Sequence, residues 1–199
     1  MSQLKLTADS GGGTVAIKGP ASTTGNGAIE LTAPGTGNGT ILTTNSSVGK
    51  ILQVVNTTQE SVVSYANSGY VDLSGITATI NGVTSGSKII VDIRLMYGRG
   101  AVTGVGFKLF RDSTFLPFAS GAAETFAQYI AEHSTDWQYG FHNLALRYTD
   151  THGQSGGSNL VYKLQGTTYS SSNTVYLNRR HYDSGQRGQC SVLLMEVAA

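Results

Sequence analysis

The sequence predicts an all-β protein in two parts: a short amino-terminal β-repeat segment over residues 1–50, and an antiparallel sandwich or jelly roll over residues 51–199. Three observations carry this. Charged residues make up 13% of the chain, against about 25% in an ordinary domain, while 26 glycines with many Ser, Thr and Asn supply turn chemistry. From residue 51 onward, apolar and polar residues alternate with the period of two that a half-buried strand requires. Finally, the one Trp, ten Tyr and six Phe all lie from Tyr65 onward.

The aromatic boundary divides the chain. Aromatic side chains bury the largest areas in a core, so residues 1–64 have little with which to build a globule of their own. Within them a short unit recurs as Gly13-Thr14-Val15-Ala16-Ile17, Gly27-Ala28-Ile29-Glu30-Leu31 and Gly39-Thr40-Ile41-Leu42-Thr43. Each unit is a turn glycine followed by β alternation, and Gly25-Asn26-Gly27 and Gly37-Asn38-Gly39 supply positive-φ turns between them. Rungs of this kind bury their apolar face only against stacked neighbours, which identical chains associating side by side would provide. The alternative is a Gly/Thr-rich spacer.

The strands of the second part follow in order. They are Ile51 to Val55, Ser61 to Tyr65, Ile76 to Ile80, the run from Lys88 to Tyr97, Phe107 to Arg111, His142 to Tyr148, Leu160 to Gln165, Thr174 to Asn178 and Ser191 to Val197. In the fourth, Ile89, Val91, Ile93, Leu95 and Tyr97 share one face, with Lys88, Asp92 and Arg94 on the other. Asn81-Gly82 reads as a hairpin turn, and Thr151 to Ser158 as a polar connection. Ala122 to Glu132 is open between a helix, from the spacing of Phe126, Tyr129 and Ile130, and an alternating strand. Eight or nine strands at this spacing suit a sandwich or jelly roll.

Charge excludes some functions. Thirteen Lys and Arg against twelve Asp and Glu leave a net charge of +1, too weak a field to attract nucleic acid or an anionic membrane. No stretch has the ~18 apolar residues that span a bilayer, and Met1-Ser2-Gln3-Leu4-Lys5 lacks a secretory signal's hydrophobic core. The expectation is a soluble protein made in a cytoplasm. Cys190, the single cysteine, lies in an apolar run and reads as a small buried hydrophobe.

Catalytic chemistry finds little support. Glu124, Glu132, Asp136 and Asp150 are candidate glycosidase carboxylates beside Trp137 and Tyr139, but no spacing fixes their separation, and solvated loop acids are the plainer reading. His133, His142, His152 and His181 have no HxH or HExxH spacing, so neither a metal nor any other cofactor is expected. Gly98-Arg99-Gly100 and Gly104-Val105-Gly106 lack the Lys-Ser/Thr ending of a phosphate loop and read as hairpin turns, and no G-x-S-x-G elbow occurs. The expectation is a protein that is not an enzyme. Ligand contact, if the chain makes it, falls to Trp137, Tyr139, His152, Arg180 and Tyr182, aromatics and bases set in Gly/Ser-rich loops. Arg179, Arg180 and Arg187 form a basic cluster that suits an acidic glycan, a solvated loop or a neighbouring subunit.

Two regions carry a resemblance. Val15-Ala16-Ile17-Lys18-Gly19-Pro20-Ala21, Leu31-Thr32-Ala33-Pro34-Gly35 and Gly49-Lys50-Ile51-Leu52-Gln53-Val54 form the first. Gly106 to Asp112, Thr174 to Arg179 and Leu193 to Val197 form the second. Together they resemble the trimeric appendage proteins of tailed bacteriophages, the short tail fibres and fibre-like or head-decoration proteins of marine and cyanobacterial phages. The resemblance implies a homotrimer whose jelly-roll head is similar to tumour-necrosis-factor and C1q heads. It also implies a virion structural protein whose amino-terminal segment forms a stem or attaches to other virion proteins, and whose head binds a host-surface glycan or protein. A capsid decoration or cement protein is the alternative.

Overall fold

The computed structural model describes residues 49–100, 104–118, 128–130, 138–168 and 170–199. The repeat segment expected over residues 1–50 lies almost wholly outside the described residues, as do Glu124, Glu132, His133, Asp136 and Trp137.

Eleven strands are described: β1 Ile51–Gln59, β2 Val63–Tyr65, β3 Val71–Val83, β4 Lys88–Arg99, β5 Val105–Arg111, β6 Thr114–Leu116, β7 Gln128–Ile130, β8 His142–Asp150, β9 Ser158–Thr168, β10 Val175–Leu177 and β11 Cys190–Val197. All their pairings are antiparallel. The chain is therefore all-β, as the alternation predicts. Part of the open segment 122–132 resolves as strand, since Gln128–Ile130 pairs with Val105–Phe107 of β5.

The pairing defines two layers. In the first, β4 takes β8 on one side and both β11 and β10 on the other, along successive stretches; β1 and β2 continue beyond β11 and β10. In the second, the order is β3, β9, β5, with β6 and β7 sharing the far side of β5. Counting β1/β2, β6/β7 and β10/β11 as interrupted single strands leaves two four-stranded sheets. Numbered one to eight in chain order, these strands run 1-8-3-6 in the first sheet and 2-7-4-5 in the second, which is the order of a jelly roll.

The core lies between the layers. Ile89, Val91, Ile93, Leu95 and Tyr97 of β4 are at most 1% exposed and face Phe107, Leu109, Leu160, Tyr162 and Leu164 of the second sheet. Each such side chain contributes about 1.5–3 kcal/mol by leaving water. Cys190 belongs to this core, as expected, with burial pushing its thiol pKa up.

Three turn expectations are corrected. Asn81-Gly82 is not a hairpin: both lie inside β3, where Gly82 at φ +60° produces a register slip against β9 between Ile80 and Val83. The glycine's positive φ serves a bulge, and the chain reverses instead at Thr84–Ser87, where the Ser87 amide donates to the Thr84 carbonyl at 3.2 Å. Gly98 and Arg99 close β4, while Val105 and Gly106 open β5, so neither glycine pair is itself a hairpin turn. A side chain at Gly98 would strike the backbone of Arg179 to His181, which explains the glycine there.

Candidate functional site

The break between β10 and β11 is the largest irregularity in the first sheet. Leu177 pairs with Tyr97 and Ser191 with Arg94, so β4 advances three residues while the other chain advances fourteen. Residues 178–189 leave the strand as a compact excursion of the Ω-loop kind. Asn178 starts it at φ +62°, a left-handed conformation that Asn tolerates better than most residues. Its Nδ2 donates to the carbonyls of Gln59 (2.7 Å) and Ser61 (2.9 Å), tying this break to the one between β1 and β2. The excursion lies over the outer face of β4, with Gly188 against Met96 and the backbone of Arg179 to His181 against Gly98.

This excursion meets the segment leading into β8. The Tyr182 amide donates to the Gln138 carbonyl at 2.9 Å, which brings the Tyr182 ring to 4.6 Å from that of Tyr139, the two planes inclined by 47°. Both rings are exposed, Tyr139 by 47% and Tyr182 by 60%. The Arg180 Nε donates to Asp183 Oδ1 at 2.8 Å, and its Nη1 reaches the Tyr139 carbonyl at 3.5 Å. Hydrogen bonding from Arg180 lowers the Asp183 pKa, and the same pairing raises that of Arg180. Arg179 stacks on Tyr176 with its guanidinium carbon 3.6 Å from the ring centre, a cation–π contact. Burial, followed by the neighbouring Arg179, lowers the His181 pKa, so this imidazole is neutral at pH 7.

Tyr139, Arg180 and Tyr182, three of the five expected ligand residues, thus come together. Trp137 lies outside the described residues. His152 does not join them. It follows the end of β8 whereas Tyr139 precedes its start, and nine residues of strand put them about 30 Å apart. His152 is 3% exposed, its Nδ1 accepting from the Gln154 amide at 2.9 Å and its Nε2 lying 3.2 Å from Ser87 Oγ. A polar residue in a Gly/Ser-rich loop looks like surface until the loop is seen folding its imidazole inward. Asp183 escaped sequence reasoning, although its position three residues after Arg180 was a usable sign.

The His152 cluster includes a carboxylate. Glu196 Oε1 accepts from Ser87 Oγ at 2.7 Å and from the Thr84 amide at 2.6 Å, and Oε2 accepts from Gln53 Nε2 at 2.6 Å. Ser, His and Glu are the residue types of a nucleophilic triad, but the order is wrong. Because His152 Nδ1 accepts a backbone amide, Nε2 carries the proton and donates to Ser87, so the imidazole has no lone pair with which to take the serine's proton. Ser87 is also 2% exposed. The cluster clasps β1, β11 and two loops at one end of the sandwich.

Asp150, one of the candidate catalytic acids, is not a solvated loop residue. It is buried at the end of β8, where Arg111 Nη1 and the Tyr162 hydroxyl both donate to its Oδ2 at 2.7 Å. It ties the first sheet to the second. Among the described residues no group of three His, Cys, Asp or Glu is placed to hold a metal, and no helix is long and apolar enough to cross a membrane.

Comparison with known proteins adds little. No family model matches the chain, and neither does any curated protein. Among solved structures it is similar to the VP2 subviral particle of infectious bursal disease virus, at 12% identity and a TM-score of 0.35 over 74% of this chain and 37% of that one. The Gt strain of the same virus gives 13% and 0.38 over 85% and 43%, and dimeric latent PorU from Porphyromonas gingivalis gives 12% and 0.34 over 78% and 14%. The chain spans less than half the length of each of these. Likenesses of this grade carry no activity or partner across, and the jelly-roll assignment stands on the strand pairing itself.

Proposed function

We propose that this chain is a structural protein of a virion, a homotrimeric appendage of the tail-fibre kind, with residues 1–50 as stem or attachment segment and the jelly roll as an outward head. The proposal contains no catalytic step and no cofactor. The observation that carries the oligomer is the outer face of the first sheet. Ile51 and Val54 are each 55% exposed, and Leu52 stands beside them. Pairing sets Val54 against Met195 and Met195 against Ile90, and Ile51 against Val197, while Leu193 follows on β11 with the same outward parity. These apolar residues form one patch at the end of the sheet where β1 begins. A contiguous apolar patch on a soluble domain is ordinarily a contact surface.

The occupant is a second copy of the chain. The described fold begins at Gly49 and β1 at Ile51, inside this patch, and the short repeats of the preceding sequence have too few large apolar residues for a core of their own. Side-by-side association of chains would cover the sheet face and the repeats together. The virion setting is supported by the resemblance of the Val15–Ala21, Gly106–Asp112 and Leu193–Val197 segments to phage appendages, and by the jelly roll, which recurs in capsid proteins and lectins.

Electron cryomicroscopy of the intact particle tests this. Trimeric density at the tail supports host attachment, in which three heads would act by avidity. Density on capsid hexamers or vertices supports the decoration reading instead. Absence of the chain from purified particles overturns both.

A further inference from the structure

The opposite end of that same sheet face carries a different surface. Ile90 and Gly98 are eight residues apart on β4, about 26 Å, so the apolar patch and the excursion are well separated. Beside the excursion runs a groove of about 280 Å³ lined by Arg94, Met96, Asn143, Ala145 and Gln189. We infer that the groove and the adjoining tyrosine pair form a binding site for an acidic saccharide, one bearing carboxylate or sulfate groups. This deepens the host-attachment reading, on which it rests for its biological setting but not for its chemistry.

Three features point to that ligand class. The inclined rings of Tyr139 and Tyr182 offer exposed apolar faces of the size of a pyranose ring, held by the Tyr182–Gln138 backbone bond and by the Arg180–Asp183 pair. Rigid aromatic platforms of this kind bind at low entropic cost. Next, the groove wall carries the amides of Asn143 and of Gln189, whose Nε2 also donates to Glu60 at 2.8 Å, groups suited to hydroxyls.

The third feature is charge. The whole chain carries a net +1, yet among the described residues this end holds Arg94, Arg179, Arg180 and Arg187 against Asp183 and Glu60. Asp92 is shared: Arg147 approaches it to 2.7 Å and Arg94 only to 3.9 Å, leaving the Arg94 side chain 75% exposed at the groove. Arg187 is exposed on the excursion with no ion pair among the described residues. Arg180 is already engaged by Asp183, so it holds the platform in shape, while Arg94, only loosely paired with Asp92, and the exposed Arg187 supply the positive charge. Two exposed guanidinium groups beside a stacking platform match a chain of sugars with scattered anionic groups.

The test is binding of the full chain to oligogalacturonate, to sialyllactose and to a sulfated heparin-derived oligosaccharide. Each is paired with its neutral counterpart: methyl-esterified oligogalacturonate, lactose and the desulfated, carboxyl-reduced oligosaccharide. At least one acidic form should bind more tightly than its partner by fivefold or more, with affinity falling as salt is raised. Tyr182→Ala should weaken it at least fivefold and Tyr182→Phe less than twofold, while R94Q and R187Q should remove the preference for the acidic form. An amide NMR spectrum of each variant that overlays the parent away from the site separates lost binding from lost fold. No preference for any acidic form overturns the inference, as does equal binding of single-stranded oligo-dT, which would mean that the surface reads charge alone. Oligomer mass, measured on the same samples, reports separately on the trimeric reading.

Discussion

Asn178 Nδ2 lies 2.7 Å from the carbonyl of Gln59 and so joins the interruption in one strand to the interruption in its neighbour. The residue is fully buried and in a left-handed conformation, and no other donor among the described residues serves the Gln59 and Ser61 carbonyls together. Replacing it with Ala removes both bonds and strains the backbone. Asn178→Ala should cost about 2–4 kcal/mol in denaturant unfolding, and Asn178→Gly somewhat less because glycine accepts the φ. The excursion should lose its amide protection in hydrogen exchange first.

Glu196 makes stability depend on pH. Burial pushes its carboxyl pKa up, but the hydrogen bonds from Gln53, Thr84 and Ser87 together outweigh burial and leave it below the ordinary 4.5. A depressed folded pKa means that the carboxylate stabilises the fold above its unfolded value, and that this contribution is lost as pH falls through the folded value. Stability should therefore hold from pH 7 down to about 5 and decline below it. Glu196→Gln should flatten that decline when thermal midpoints are compared across pH.

Asp150 connects the two sheets by accepting from Arg111 and Tyr162. Removing one partner of a buried pair leaves the other charge uncompensated, which costs about 3–5 kcal/mol. Asp150→Ala should lower stability by this amount, with Asp150→Asn also strongly destabilised. Burial, then the Asp150 bond, raises the Tyr162 pKa, so the phenol should stay protonated in the ultraviolet difference spectrum until the protein unfolds in alkali.

Much of this architecture was legible in the sequence because period-two alternation reports directly on which face meets the core. The inward set on β4 from Ile89 to Tyr97 could be read residue by residue. What misled were signals whose local chemistry is right but whose use is decided by distant chain. Gly82 does adopt a positive φ, yet spends it in a bulge because β9 continues alongside. His152 and Asp150 are polar residues near a loop, and only the approach of Ser87 from the β3–β4 turn and of Arg111 from β5 makes them internal. The pairing of Tyr139 with Tyr182 depends on a sequence separation of 43 residues, so composition could nominate both but not join them. Short β6 had too few residues to show a period.

Cys190 offers a probe of global opening. It is fully buried, with the Met96 amide 3.3 Å from Sγ and its thiol pKa raised by burial. In native buffer at pH 8 it should react with a disulfide reagent at least a hundredfold more slowly than the unfolded chain, because the thiolate must first be exposed.

The central claim is that the apolar end of the first sheet is covered by other copies of the chain, and light scattering of the parent and of Val54→Glu tests it most directly. Val54 is exposed on an edge strand, so the substitution should leave the head's own stability within about 0.5 kcal/mol. The account predicts a parent mass of three times 20.9 kDa at micromolar concentration, and dissociation or marked weakening in Val54→Glu. A parent that runs as a single 20.9 kDa chain, or a trimer indifferent to charge at Val54, would contradict it.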